Sequence, residues 1–293
     1  MMAGARPSRL VILGHPVAHS LSPVFQGAAM AACGIPLSYE RLDVRPDDLI
    51  DTLAQCQQSR TGGNVTIPHK EAVASRADRL SDVARRAGAV NTFWFEQGLL
   101  HGDNTDVDGV RATVRALTGH RVPERAVVLG SGGSAAAVLL ALTELGVAHI
   151  AVVARTPDRA QALLARTGVM GRVLPLDDPE TVMALGDANL VVNSTPLGLH
   201  DGDAYPVDPR MLSSDAAVFD LVYRGQAADG APIGTAWVQA ARARGLCAED
   251  GLRMLVEQGA AAFRCWFGLE APRDAMWQSL GETPPSPDRP RGT

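Results

Sequence analysis

The sequence has few cysteines and no pattern among them. Cys33, Cys56, Cys247 and Cys265 lie far apart, with no C-x-x-C pair. That spacing fits neither a disulfide framework nor a zinc site, and buried free thiols in a reducing cytoplasm are the simplest account. Excess positive charge is missing too. The formal net charge is −5 and the basic residues are dispersed, which leaves no electrostatic footprint for nucleic acid. No hydrophobic window approaches the length of a bilayer span. The apolar run Leu10–Leu13, after Arg6 and Arg9, is too short for a signal peptide. The acidic stretch Asp103–Asp108 lacks the sixth-position glycine and twelfth-position glutamate of a calcium loop. The expectation is a metal-free, cytoplasmic protein that binds neither nucleic acid nor membrane.

What is present points to a well-filled core. The chain has 293 residues, 46% hydrophobic and 20% charged, enough for one large domain or two ordinary ones. Its 29 glycines imply many tight turns, or loops that bring backbone close to a ligand. The last thirteen residues, 281–293, hold four prolines and read as a disordered tail.

One stretch organises the first third, Gly62–Val73. It reads as an extended run, Gly63–Thr66, that stops at Pro68 and turns at once into a helix with Pro68 as its first residue. Lys70 then falls in the first helical turn, where the macrodipole disfavours a cation. That suits a group that hands protons on; the plain alternative is a solvated surface lysine. Upstream, Leu10–Gly14 reads as a buried strand followed by a turn. Ser22 before Pro23 reads as an N-cap of the helix that continues through Cys33. Ser20, two residues earlier in an extended segment, points to the same side. Paired hydroxyls beside a helix start can hold a carboxylate without an arginine.

Further strands and helices follow in alternation. Leu37–Val44 reads as a strand, Pro46–Gln57 and Ala74–Ala87 as helices, and Ala87–Phe95 as a strand broken by Asn91-Thr92. Asn91 is either a turn residue or a ligand contact. Asn104 or Thr105 can cap the next helix, which places Asp106 in its first turn, an ordinary position for an acid.

From about Val107 the style changes. Ala126–Gly146 reads as a strand, a glycine-rich turn and a long small-residue helix. Gly130, Ser131, Gly132, Gly133, Ser134 and Ala135 fit the G-x-G-x-x-G/A dinucleotide fingerprint in its required strand-to-helix context. The next strand, His149–Ala154, lacks the acidic residue that would bind a ribose 2′-hydroxyl. It is followed by Arg155, Thr156 and Arg159, which suit a 2′-phosphate, so the cofactor read here is NADP rather than NAD. Ala160–Thr167 reads as a helix. Leu190–Ser194 reads as a third parallel strand, with Asn193, Ser194 and Thr195 at the ligand-binding carboxyl edge. Ala217–Tyr223 reads as a fourth, and Ile233–Ala243 as a helix. Asp250–Gly268 reads as a long amphipathic helix whose polar exception, Gln258, is either solvated or functional.

Together these stretches resemble the shikimate dehydrogenase family over nearly the whole chain. S-x-S-P appears as Ser20–Pro23, N-V-T-x-P-x-K as Asn64–Lys70, G-A-V-N-T as Gly88–Thr92 and N-T-D as Asn104–Asp106. The nucleotide loop appears as Gly130–Ser134, the N-R-T-x-x-R clasp as Ala154–Arg159, and D-G-L-x-M-L-V-x-Q as Asp250–Gln258. The resemblance implies an α/β fold of two domains separated by a cleft. Residues 1–106 with 247–280 would form the substrate domain, and 107–246 a Rossmann-like NADP domain. It implies reversible NADP-dependent oxidation of the shikimate 3-hydroxyl to 3-dehydroshikimate, with Lys70 and Asp106 as the proton-transfer pair. Ser20, Ser22 and Tyr223 would hold the ring carboxylate, and Thr66, Asn91, Asp106 and Gln258 the ring hydroxyls. The partner would be a small molecule, and the protein a monomer or homodimer.

Three positions depart from the family pattern. Phe25-Gln26-Gly27 stands where H-N is common after S-P-x-x. Tyr223-Arg224-Gly225 replaces Y-N-P, with Gln226–Pro232 altered as well. Ala154 replaces the adenine-side Asn. These departures keep open a paralogue acting on quinate or aminoshikimate. A ligand-sensing module on the same fold would lose the proton-transfer pair or the glycine loop, and both are present. A different NADP oxidoreductase sharing only the Rossmann half is opposed by the first hundred residues.

Overall fold

The computed structural model describes residues 7–224 and 234–283. The altered loop 225–233 and all but the first three residues of the proline-rich tail lie outside the described residues. The chain divides into two compact units. One runs to Gly109 and resumes at Leu255; the other is Val110–Met254.

The first unit contains β1 (Arg9–Gly14), α1 (Ser22–Ala32), β2 (Tyr39–Asp43), α2 (Leu49–Gln58), β3 (Thr61–Val65), α3 (Lys70–Ala74), β4 (Arg79–Leu80), α4 (Asp82–Ala87), β5 (Thr92–Glu96) and β6 (Leu99–Asp103). α5 (Asp106–Leu117) begins in it and continues into the second unit. The strands form one mixed sheet in the order β2-β1-β3-β5-β6-β4. β1 runs parallel to β2 and β3, whereas β5 runs antiparallel to β3 and β6. β1 and β3 are buried almost throughout, as central strands of a covered sheet should be. Gly63 is required in β3, because a Cβ there would lie 1.9 Å from the Val11 carbonyl oxygen. β5 and β6 join through Gln97 and Gly98, both at positive φ, the conformation of a two-residue hairpin.

The second unit contains β7 (Arg125–Leu129), α6 (Gly133–Glu144), β8 (His149–Ala154), α7 (Pro157–Thr167), β9 (Arg172–Pro175), α8 (Pro179–Gly186), β10 (Leu190–Asn193), β11 (Ala217–Asp220), α9 (Ala236–Ala243) and β12 (Ala248–Glu249). All six strands are parallel, in the order β12-β11-β10-β7-β8-β9. The order reverses between β7 and β10, and in such doubly wound sheets ligands bind at the carboxyl ends of the two strands flanking that point. α10 (Leu252–Phe267) leads back to the first unit, which ends with α11 (Arg273–Ser279). No helix of the described residues is long and apolar enough to cross a membrane.

Several local expectations are corrected. Ala74–Ala87 is not one helix. α3 stops at Ala74, β4 intervenes, and α4 starts afresh because the Ser81 hydroxyl accepts from Ala84 N and so caps it. Pro68 does not open a helix; it follows a cis bond in the turn after β3, and α3 begins at Lys70. β10 is the fourth strand of its sheet in chain order rather than the third, since the short β9 is not legible from its sequence. The cysteines are free, yet only Cys56 is buried; Cys33 and Cys247 are exposed.

Candidate active site

In the first unit the ends of β1 and β3 hold the segment that carries Lys70. Thr66 N donates to Leu13 O, His69 N donates to Thr66 O, and Val90 N donates to the carbonyl of Lys70 itself. The His69 ring is buried, with Nε2 2.6 Å from the Val44 carbonyl oxygen. Lys70 is thus the first residue of its helix, with a backbone tied on both sides. It is also the only lysine in the chain; every other position of that charge type is arginine. Arginine holds its proton throughout the physiological range, whereas lysine can give it up.

Lys70 Nζ donates to Asp106 Oδ2 at 2.5 Å. The two side chains are 17% and 6% exposed, so the pair is largely withdrawn from water. Asp106 opens the twelve-residue α5, where an acid complements the macrodipole. Lys70 opens the five-residue α3, where a cation is disfavoured on its own, and the adjacent carboxylate offsets that.

The second oxygen of Asp106 has a different partner. Asn91 Nδ2 donates to Asp106 Oδ1 at 2.7 Å and lies 3.1 Å from Gln258 Oε1. Gln258 Nε2 in turn donates to Leu255 O. Asn91 Oδ1 accepts from Thr105 N, Thr105 Oγ1 and Thr92 Oγ1. Asn91 is therefore no simple turn residue. Its buried amide bridges the start of α5, the start of β5 and one turn of α10.

Behind Asn91 lies a layer that motif reading passes over. Asn64 Nδ2 donates to Asn91 O and Thr92 Oγ1, and Asn64 Oδ1 accepts from the Tyr39 hydroxyl at 2.7 Å. Burial raises the Tyr39 phenol above its usual range, against hydrogen bonding from Ser22 and Asn64, so it stays protonated and donates. The clue in the sequence is a lone asparagine inside a glycine-rich strand. Gln26, where the family pattern has histidine, is fully buried and donates to Gly259 O at 2.9 Å, next to Gln258.

The two serines differ from their expected roles. The Ser22 hydroxyl makes no cap bond, because Leu21 and not Ser22 is the N-cap residue. Leu21 has helical dihedrals, so the Ser20–Ser22 segment is not extended, and Ser20 Oγ accepts from Ser22 N at 3.3 Å. Ser20 Oγ thus meets the first amide of α1, and the Ser22 hydroxyl is buried. The Thr66 hydroxyl has no partner among the described residues. Tyr223, half-buried beyond β11, belongs to the second unit.

In the second unit the Gly130–Ala135 turn joins β7 to α6. Gly130 has φ +107°, and a Cβ there would lie 2.8 Å from Ser194 Oγ and 3.0 Å from Thr195 Cγ2. Gly132, the N-cap of α6, is extended and would meet nothing within 4 Å; no side chain caps the helix. Open backbone at an uncapped helix N-terminus fits a pyrophosphate, and Gly133, Ser134 and Ala135 carry the amides of that first turn. Arg155 and Arg159 flank Thr156 at the start of α7. Both are exposed and make no ion pair or side-chain hydrogen bond among the described residues, which fits guanidinium groups kept for a phosphate.

Asn193, Ser194 and Thr195 stand at the carboxyl end of β10, but their side chains are largely used within the protein. Asn193 Nδ2 donates to Asp220 Oδ1 and Leu197 O, and Asn193 Oδ1 accepts from Thr195 N and Oγ1. Ser194 Oγ donates to Leu129 O at 2.7 Å. These residues shape the wall of the turn. A cavity of about 600 Å³ opens elsewhere, at the amino ends of β7 and β8, beside Arg125, His149 and Arg172. It lies at the edge of the sheet opposite the glycine turn.

Three family profiles match the chain. Residues 12–93 match the shikimate dehydrogenase substrate binding domain, 114–198 the shikimate/quinate 5-dehydrogenase profile, and 251–280 the shikimate 5′-dehydrogenase C-terminal domain. A relative from Methylobacterium radiotolerans named shikimate dehydrogenase (NADP(+)) is 45% identical over 91% of this chain and 93% of its own. The crystal structure of shikimate 5-dehydrogenase from Thermus thermophilus, in complex with NADP(H) and shikimate, superposes with a TM-score of 0.80. It is 38% identical and covers 93% of this chain and 98% of its own. Quinate dehydrogenase from Corynebacterium glutamicum in complex with NAD superposes with a TM-score of 0.81 at 31% identity, covering 94% and 98%.

Proposed function

Because the chain belongs to the shikimate dehydrogenase family, we propose that it catalyses the reversible NADP-dependent oxidation of shikimate to 3-dehydroshikimate. The observation that carries the reading is the Lys70–Asp106 contact, tied through Asn91 to Gln258. In the oxidation direction the 3-hydroxyl proton leaves to the Lys70–Asp106 pair, and in reduction the pair returns it. Lys70 supplies positive charge where negative charge develops on that oxygen, and Asp106 keeps the amine in place. NADP supplies the hydride acceptor or donor when bound. Asn91, Gln258, Asp106 and Thr66 hold the ring hydroxyls, so a substrate lacking one leaves buried groups unpaired. Ser20, Ser22 and Tyr223 take the carboxylate. Gly130, Ser131, Gly132, Gly133, Ser134 and Ala135 take the pyrophosphate. Arg155, Thr156 and Arg159 take the 2′-phosphate, and Asn193, Ser194 and Thr195 shape the edge beside it.

The substrate domain in this reading is residues 1–106 with 247–280, and the NADP domain is 107–246. The protein is placed in the cytoplasm, as a monomer or homodimer. The test is absorbance of NADPH with shikimate or quinate as substrate and NADP or NAD as cofactor. Turnover is expected with shikimate and NADP. A chain that turns over neither acid with either cofactor is not this enzyme, and one that prefers quinate with NAD is the paralogue.

A further inference from the structure

At and after the carboxyl end of β11 two residues reach back to the turn that follows β10. Asp220 is fully buried. Its Oδ1 accepts from Asn193 Nδ2 at 2.8 Å and from Val222 N at 3.1 Å, and its Oδ2 accepts from Thr235 Oγ1 at 2.6 Å. One carboxylate therefore joins the end of β10, the chain leaving β11 and the start of α9. All three partners are donors. A neutral amide in its place keeps one acceptor and turns an N–H₂ toward Thr235, whose hydroxyl proton then loses its acceptor.

Arg224 acts on the other end of the same turn. Its Nε and Nη2 both donate to Gly198 O, at 3.2 and 3.0 Å, and its Nη1 donates to Asp201 Oδ1 at 2.9 Å. Gly198 has φ +96°, so this carbonyl is presented by a backbone conformation that favours glycine. Asp203 holds the far side by accepting from Gly198 N and His200 N. Between the two anchors runs 193–198, and its Ser194 and Thr195 are the atoms against which Gly130 packs. Neither Asp220 nor Arg224 is assigned a contact with substrate or cofactor above.

We infer that Asp220 and Arg224 are positioning residues for the dinucleotide site: they clamp the two ends of the 193–198 turn and so hold the wall against which the Gly130 turn is set. The inference rests on the reading of that turn as the NADP site. It gives the Y-R-G departure a physical role, because a guanidinium can hold Gly198 O with two N–H groups at once.

The test is calorimetric titration of the full chain with NADP, and separately with shikimate, for the wild type, Arg224→Ala, Asp220→Asn and Asp201→Ala. Arg224→Ala and Asp220→Asn should each weaken NADP binding by about tenfold, the loss of roughly one charge-assisted hydrogen bond. Shikimate binding should stay within about twofold of wild type in both, a difference small beside one hydrogen bond. Asp201 is 98% exposed, so Asp201→Ala should leave NADP binding unchanged, with Gly198 still held. Arg224→Lys, which cannot make the two-pronged contact, should behave as Arg224→Ala. A purely structural role would lower the melting temperature while leaving the NADP affinity of the folded protein as it was. That result, or unchanged NADP affinity in Arg224→Ala, overturns the inference. A wild-type chain that binds shikimate but no NADP overturns the dinucleotide reading and this inference with it.

Discussion

Lys70 and Asp106 are 36 residues apart in sequence, and Nζ of the first lies 2.5 Å from Oδ2 of the second. The other carboxylate oxygen is held by Asn91, so the acid cannot turn to follow the amine without breaking a buried bond. Replacing Lys70 with alanine should lower kcat by roughly two to four orders of magnitude, with a much smaller change in shikimate affinity. Because Lys70 is the only lysine, an amine-directed reagent has one side-chain target. Modification counted by mass spectrometry should track loss of activity, and bound shikimate should slow both. Full activity after complete labelling would remove Lys70 from the mechanism.

Asn91→Ala should affect both stability and substrate binding. It strips the acceptor from the buried Thr105 N, and it removes one of the bonds of the Thr92 and Thr105 hydroxyls, which keep each other. An orphaned buried donor costs about 1–3 kcal/mol. Urea unfolding should show that loss, and the shikimate KM should rise in the same variant. A variant as stable as wild type would mean that Asn91 does not organise the site.

Gly130→Ala tests the proposed NADP site apart from substrate binding. The residue has φ +107°, and the new Cβ would meet Ser194 Oγ and Thr195 Cγ2. Strain of about 1–3 kcal/mol is expected. NADP affinity should fall while shikimate binding, measured by calorimetry without cofactor, is retained.

Arg155→Ala and Arg159→Ala should weaken NADP by about tenfold or more each, since each removes a charge-assisted contact, and leave NAD nearly unchanged. The ratio of the two cofactors' kcat/KM is the readout. Equal losses for both would mean that the arginines serve the fold or the pyrophosphate.

Asp220 makes stability depend on pH in an unusual direction. Burial pushes its carboxyl up to about 6, against hydrogen bonds from Thr235, Asn193 and Val222, and nearby Asp250 adds to the rise. A carboxyl raised on folding favours the folded state while protonated. That contribution is complete below the ordinary 3.8 and is lost as pH rises through about 6. Comparing wild type with Asp220→Asn by urea unfolding, the difference should move against the wild type by on the order of 2–3 kcal/mol between about pH 4 and 6, then level off. A flat difference across that window would mean that the carboxyl titrates normally.

Much of the second unit is legible because its signals are local. A strand, a glycine turn and a small-residue helix lie within one window, and a glycine forced to positive φ belongs to one position. The short β9, four residues with no strong alternation, carries too weak a pattern. In the first unit the break between α3 and α4 is hidden because helix propensity runs through Ser75–Ser81, while pairing of β4 with β6 decides otherwise.

The two-part α/β plan, the strand–glycine turn–helix unit and the residue types of the site were legible in the sequence alone, since each depends on neighbours within a few positions. Only the tertiary structure decided how the polar side chains are used. It moved the N-cap from Ser22 to Leu21, set Asn193 to bracing its own turn, and gave Asn91 its place between Asp106 and Gln258. A buried hydrogen bond depends on which atoms meet, and across long separations that is set by strand register and helix packing, which no local pattern encodes.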